Sequence, residues 1–219
     1  MYSTTSFIAP FVAFIGMMAL RSTFGWNPQW EYPVQVLVTA AIILALSRRA
    51  FSWRVLRPLA SIGVGVAVFV IWIGPDALWP SYRHFWLFQN SITGSATSTL
   101  PSGAQSDYTF LAFRLLGTAV IVPIIEELFW RGWLMRYLVN PEFQKVPLGT
   151  YTASAFWLTA ALFATEHGSY WEVGLIAGAI YNWWLMRTEN LMDCMLAHAV
   201  TNACLAIYVL GFGHWEYWL

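Results

Sequence analysis

Two adjacent glutamates, Glu126 and Glu127, stand inside the otherwise apolar run Ile121–Arg136, IVPIIEELFWRGWLMR. In a bilayer each such charge costs about 2.5–3.5 kcal/mol on insertion, so a charged pair in this setting points to function before packing. The helical period sharpens the point. Glu127 and Arg131 are i and i+4, so they share a face and can pair. Glu126 is turned about 100° away from Glu127. One carboxylate is held by the arginine, and the other is free to face something else.

The rest of the chain suits a bilayer. Of its 219 residues, 58% are hydrophobic and only 10% are charged. Soluble globular chains carry about 25% charged residues, so this composition belongs to a multi-pass membrane protein. The 11 basic and 11 acidic residues cancel, and no basic cluster suggests nucleic acid. The N-terminus lacks the basic flank and small-residue cleavage site of a signal peptide, so the first apolar segment is expected to stay as a membrane helix. Cys194 and Cys204 share one apolar segment. On a helix they would stand about 15 Å apart, too far to bridge, and both read as reduced thiols.

Apolar segments recur at 7–20, 33–46, 58–73, 108–139, 151–167, 171–187 and 191–210. They predict an all-α polytopic membrane protein, with roughly seven or eight transmembrane helices around an intramembrane polar cavity. Residues 1–219 form one domain, with the chemistry concentrated between about 108 and 210. Pro33 is expected to open the second segment, and Gly74-Pro75 to close the third. Pro123 should kink the fourth, whose end, Trp130–Tyr137, bends along the interface. Residues 75–107 form an external loop. Trp79, Tyr82, Phe85 and Trp86 lie at the membrane surface, and 91–107 is flexible. With the N-terminus cytoplasmic, Arg48, Arg49, Arg54, Arg57, Arg131, Arg136, Lys145 and Arg187 fall on or near the cytoplasmic side. Only Arg21 and Arg83 fall outside, with Arg114 inside a span, which agrees with the positive-inside rule.

Other polar groups reach the depth of the glutamates. His167 ends the fifth segment, with Phe163 at i−4 on its face. His198 and Asn202 are i and i+4 in the seventh. At 1.5 Å per residue, Glu126, His167, His198 and Asn202 lie about 11–24 Å from the cytoplasmic ends of their segments. Each has a plain reading alone: a histidine packs, an asparagine joins helices. Glu166 and Asp193 could belong to the site, but each sits near a segment end, where water can reach it. Cys194 is i−4 to His198, which raises a Cys-His nucleophile, but a membrane-buried thiol is usually inert. Gly174 and Gly178 form a G-x-x-x-G that favours close helix approach. Two glutamates, an arginine, two histidines and an asparagine at one depth are harder to explain as packing.

In chain order these residues spell E-E-x-x-x-R at Glu126, Glu127 and Arg131, F-x-x-x-H at Phe163 and His167, and H-x-x-x-N at His198 and Asn202. The pattern resembles the CAAX-protease and bacteriocin-processing family of intramembrane endopeptidases. The stretch WRGWLMRYLVNPEF is similar to the bacterial members associated with exosortase systems. The resemblance implies peptide-bond hydrolysis near the bilayer, with Glu126 as the catalytic glutamate. Glu126 and His167 would hold and deprotonate a water. His198 and Asn202 would donate to the oxyanion. Glu127, Arg131 and Phe163 would support them. No cofactor is implied. The partners would be a membrane-associated protein or peptide substrate, the lipid bilayer and an exosortase-type processing system. The setting would be a bacterial inner membrane. Three other readings stay open. One is a zinc peptidase using Glu126, His167 and His198, the His₂Glu set that zinc favours. Another is a non-enzymatic scaffold or immunity protein. The third is a transporter with a proton relay.

Overall fold

Four helix starts in this chain are set by short polar caps, Asn27, Asp107, Thr152 and Asn190, ahead of apolar runs. The computed structural model describes residues 3–98, 100 and 103–218. Helix α1 spans Thr5–Phe24. Helix α2 begins at Pro28, where Asn27 Oδ1 accepts from the Gln29 amide at 2.9 Å and proline takes the first helical position. That start lies ahead of the expected one, and Pro33 sits inside the helix, as membrane helices tolerate. The α2 helix ends in a π stretch, Ile43–Ser47. Helix α3, Pro58–Leu78, passes through Gly74-Pro75 instead of stopping there, and closes with the Trp79 amide donating to the Pro75 carbonyl at 3.0 Å.

The central helix, α4, runs without a break from Tyr108 to Tyr137, about 45 Å at helical rise. Asp107 Oδ1 caps it, accepting from the Thr109 and Phe110 amides at 3.0 and 3.1 Å. Two wide π stretches interrupt its α geometry, Gly117–Ile121 and Leu128–Leu134. The first lies just before Pro123, where the helix must accommodate a ring and a missing donor. The helix continues through the proline. Helix α5 is Ala153–Thr165, α6 is Trp171–Thr188 and α7 is Leu191–Phe212.

Five helices are long and apolar enough to cross a membrane: α1, α2 with its π end, α3, α4 and α7. Helix α5 is apolar but only 13 residues long, about 20 Å. No strand occurs among the described residues, so the fold is all-α and polytopic. Helix α3 packs along α7, α5 against α6 and α1 against α2. Close approach needs glycine at two of these contacts. A Cβ on Gly65 would strike the Ala197 carbonyl across α3–α7, and one on Gly178 would come within 3.1 Å of Phe163 Cδ1 across α6–α5.

The loop between α3 and α4 is tied down more firmly than its composition suggests. Arg83 is buried and anchors it. Asn90 Oδ1 accepts from the Ile92 and Thr93 amides at 2.8 and 3.0 Å. Ser169 Oγ donates to the Thr93 carbonyl at 3.3 Å, and Trp171 Nε1 to the Leu87 carbonyl at 3.3 Å. The loop thus rests on the α5–α6 junction. Residues 99, 101 and 102 of the stretch expected to be flexible lie outside the described residues.

Candidate active site

The helix carrying Glu126 and Glu127 changes from α to π geometry at its next residue, Leu128. Single π turns within α-helices are frequent at functional sites. Arg131 Nη1 donates to Glu127 Oε1 at 3.1 Å, and both side chains are 0% exposed. The guanidinium's other nitrogens are committed too. Nε donates to Asn182 Oδ1 at 2.9 Å, and Nη2 to the Gly178 carbonyl at 3.0 Å. Asn182 is fixed in turn, donating from Nδ2 to the Phe156 carbonyl at 2.8 Å. The guanidinium plane lies over the Phe163 ring at 4.6 Å. A buried ion pair offsets its desolvation only when its hydrogen bonds are made, and this arginine makes them.

His198 joins the same carboxylate. Its Nδ1 donates to Glu127 Oε1 at 3.0 Å, and its ring stacks on Tyr181 with centroids 4.9 Å apart. The opposite ring nitrogen, Nε2, stands 4.0 Å from Glu126 Oε2. That oxygen is closed off from solvent and accepts no hydrogen bond among the described residues. Glu126 is therefore the carboxylate left over, while Glu127 is shared by Arg131 and His198.

His167 donates from Nδ1 to the Phe163 carbonyl at 2.9 Å, which leaves Nε2 as an acceptor in the neutral ring. Its ring meets Trp72 edge-on at 5.1 Å and Phe163 at 4.7 Å. Phe163 also touches His198, with centroids 6.0 Å apart. Asn202 donates from Nδ2 to the Thr118 carbonyl at 2.8 Å. Thr118 lies in the first π stretch of α4, and the second N–H of the amide remains available.

Glu126, His167, His198 and Asn202 all line one cavity of about 460 Å³. Glu127 and Arg131 are not part of its lining; they sit behind the wall. Helix α1 supplies an apolar flank with Phe11, Phe14, Ile15 and Met18. Glu166 also lines the cavity, its Oε2 accepting from Trp130 Nε1 at 3.2 Å. Asp193, the other acid near a segment end, is elsewhere: its Oδ1 accepts from the Leu56 and Arg57 amides at 2.9 Å and ties down the loop before α3. Cys194 is fully buried and donates to the Tyr181 carbonyl at 3.1 Å. Among the described residues, no three His, Cys, Asp or Glu side chains form a group that could hold one metal ion.

Sequence reasoning missed Asn182, Tyr181, Trp130 and Trp72. Asn182 had a signal, being a lone amide in an apolar segment. The aromatic residues had none, since rings are common in any membrane core.

Residues 108–204 match the family model described as type II CAAX prenyl endopeptidase Rce1-like. The matched stretch runs from the start of α4 into α7 and includes Glu126, Glu127, Arg131, Glu166, His167, His198 and Asn202. No curated protein and no solved structure matches the chain.

Proposed function

We propose that the cavity hydrolyses a peptide bond in a membrane-associated protein or peptide, a reading supported by the match of residues 108–204 to the type II CAAX prenyl endopeptidase family model. The observation that carries the reading is the division of labour between two neighbouring carboxylates. Glu127 is engaged through Oε1 by Arg131 and His198 behind the wall, whereas Glu126 lines the cavity and its Oε2 accepts no hydrogen bond among the described residues. An unpaired buried carboxylate is costly and is kept where it does chemistry.

Glu126 and the free Nε2 of His167 hold a water and take its proton as its oxygen attacks the carbonyl carbon. The charge that develops on the carbonyl oxygen is met by Nε2–H of an imidazolium His198 and by the second N–H of Asn202. Such a donor contributes about 2.7–4 kcal/mol to the transition state. Glu127 stabilises that imidazolium, and Arg131 fixes Glu127. No metal enters this scheme, so activity should resist chelators; activity lost with EDTA and restored by zinc would favour the zinc reading.

The test compares membrane proteomes of cells holding wild-type protein or Glu126→Gln. The amide keeps the shape and removes the base, so uncleaved substrates should accumulate while the variant remains folded. A Glu126→Gln protein that processes its targets at the wild-type rate overturns the proposal and revives the scaffold or transporter readings. The charge asymmetry of the loops supports a cytoplasmic N-terminus. Reporter fusions at the 48–57 loop and the 79–98 loop should report opposite sides.

A further inference from the structure

The cavity holds a second carboxylate that the scheme above does not use. Glu166 lines the same space as Glu126, and it is exposed, so it can exchange protons with water. It precedes His167 directly, at the end of α5. Its position is set by Trp130 of α4, whose indole Nε1 donates to Glu166 Oε2 at 3.2 Å. Trp130 is itself held: it is buried and meets the Phe163 ring edge-on at 6.2 Å. It lies at i+4 from Glu126, one turn along the same helix. The indole therefore brings the Glu166 carboxylate against the turn that carries Glu126. An acid needed only for solubility would not require a buried tryptophan to aim it.

We propose that Glu166 is a further catalytic residue, the proton donor to the departing amine. This rests on the peptidase reading. The two carboxylates then divide the proton traffic. The water oxygen bonds to the carbonyl carbon, and its proton passes to Glu126. The C–N bond breaks with its electron pair going to nitrogen. That nitrogen takes the proton of the Glu166 carboxyl, which becomes a carboxylate. Proton transfer through cavity water returns both glutamates to their starting states. The net change is one water consumed, giving an acid and an amine. Glu126, facing His198 Nε2 at 4.0 Å, stays on the side of the attacking water and need not swing to the leaving group.

The leaving group supplies the test. An amide nitrogen must be protonated to depart, whereas an alkoxide leaves far more readily. A library of acyl-anchored peptides with a fluorophore and quencher, placed in liposomes, identifies a cleaved probe. That probe is then remade with an ester at the scissile position. Glu166→Gln keeps an oxygen to accept from Trp130, so it removes the proton and preserves the contact. We expect Glu166→Gln to lose about 10²–10⁴-fold in kcat on the amide, the usual contribution of a positioned acid, with KM little changed. On the ester it should lose less than about tenfold. Trp130→Phe, which removes the aim, should follow the same pattern more weakly. Equal losses on amide and ester mean a positioning role and overturn the proposal, as does a Glu166→Gln enzyme with wild-type amide turnover. In both cases the peptidase reading survives, provided Glu126→Gln is inactive on both probes. A wild-type protein that cleaves no probe of the library removes the reading and this proposal together.

Discussion

Two buried arginines organise two parts of this molecule, and they are built alike. Arg131 holds Glu127, a side-chain amide oxygen and a backbone carbonyl, and lies over an aromatic ring. Arg83 holds Asp76 through Nε and Nη2 at 3.1 and 3.3 Å, and Glu172 and the Ser169 carbonyl through Nη1 at 2.6 Å each. It lies over Tyr170 at 4.2 Å, and Tyr217 donates to the same Asp76 at 3.0 Å. The difference lies in what surrounds each pair. Glu127 is 0% exposed and passes its charge on to His198, so its arginine governs a group in the cavity. The carboxylates of Asp76 and Glu172 are 19% and 15% exposed, and tie a loop to helix ends. The same chemistry is a support for reactive groups in one place and a staple in the other.

The comparison is tested most severely by Arg131→Met. It takes the guanidinium from Glu127, leaving it only the His198 contact in a dry site, and strands the Asn182 and Gly178 oxygens, which costs about 3–5 kcal/mol. Thermal unfolding in detergent should fall steeply, and cleavage should vanish. Adding Glu127→Leu should restore part of the stability, since an apolar pair can replace a buried ion pair, but no activity. If the double variant cleaves, Glu127 and Arg131 do not serve the site, and the contrast with Arg83 collapses.

The inner arginine was legible and the outer one was not, for a geometric reason. Glu127 and Arg131 are four residues apart on one helix, so the period alone joins them. Arg83 meets Glu172 and Tyr217 meets Asp76 across 89 and 141 residues of chain, which no local period encodes. The same limit explains the site. His167, His198 and Asn202 stood out as polar groups in apolar helices, and their motif spacing could be read directly. That Asn202 would spend a donor on the Thr118 carbonyl depends on a π stretch of α4, which the sequence does not mark. The helix ends moved for a related reason: Asn27-Pro28 is a stronger start than Pro33, and Pro75 breaks nothing in a long apolar run.

A smaller effect is expected at Asn202. Asn202→Asp replaces an amide donor by an anion facing both the oxyanion position and the Thr118 carbonyl. The kcat should fall about 10²–10³-fold, as for loss of one oxyanion donor, with a lesser change in KM. Asn202→Ala should lose a similar amount. Unchanged turnover with a lowered melting temperature would make Asn202 a tie between α7 and α4 alone. Smaller again in its effect on turnover is Arg83→Met. It should cost about 1–3 kcal/mol through the carboxylates and carbonyl it abandons, seen as a lower melting temperature. Turnover of the folded protein should stay within about threefold. A loss of kcat as deep as that of Asn202→Asp would mean the staple reaches the chemistry through the loop resting on the His167 turn.

The smallest effect belongs to Cys194, and it separates support from chemistry most cleanly. The thiol lies one turn from His198 on α7, close enough in sequence to suggest a nucleophile. It is fully buried, it does not line the cavity, and its hydrogen is given to the Tyr181 carbonyl at 3.1 Å. A nucleophile must meet the substrate, and this sulfur faces away from where substrate would lie. Serine is close to cysteine in size and can make the same bond to Tyr181. Cys194→Ser should therefore cost no more than about 1 kcal/mol of stability, within the common range for single substitutions. Its cleavage rate on any probe the wild-type protein accepts should be unchanged. A folded Cys194→Ser protein without activity, beside a Glu126→Gln protein that keeps it, would transfer the chemistry from the glutamate to the thiol. The inner arginine would then support a Cys-His pair through the Glu127–His198 contact.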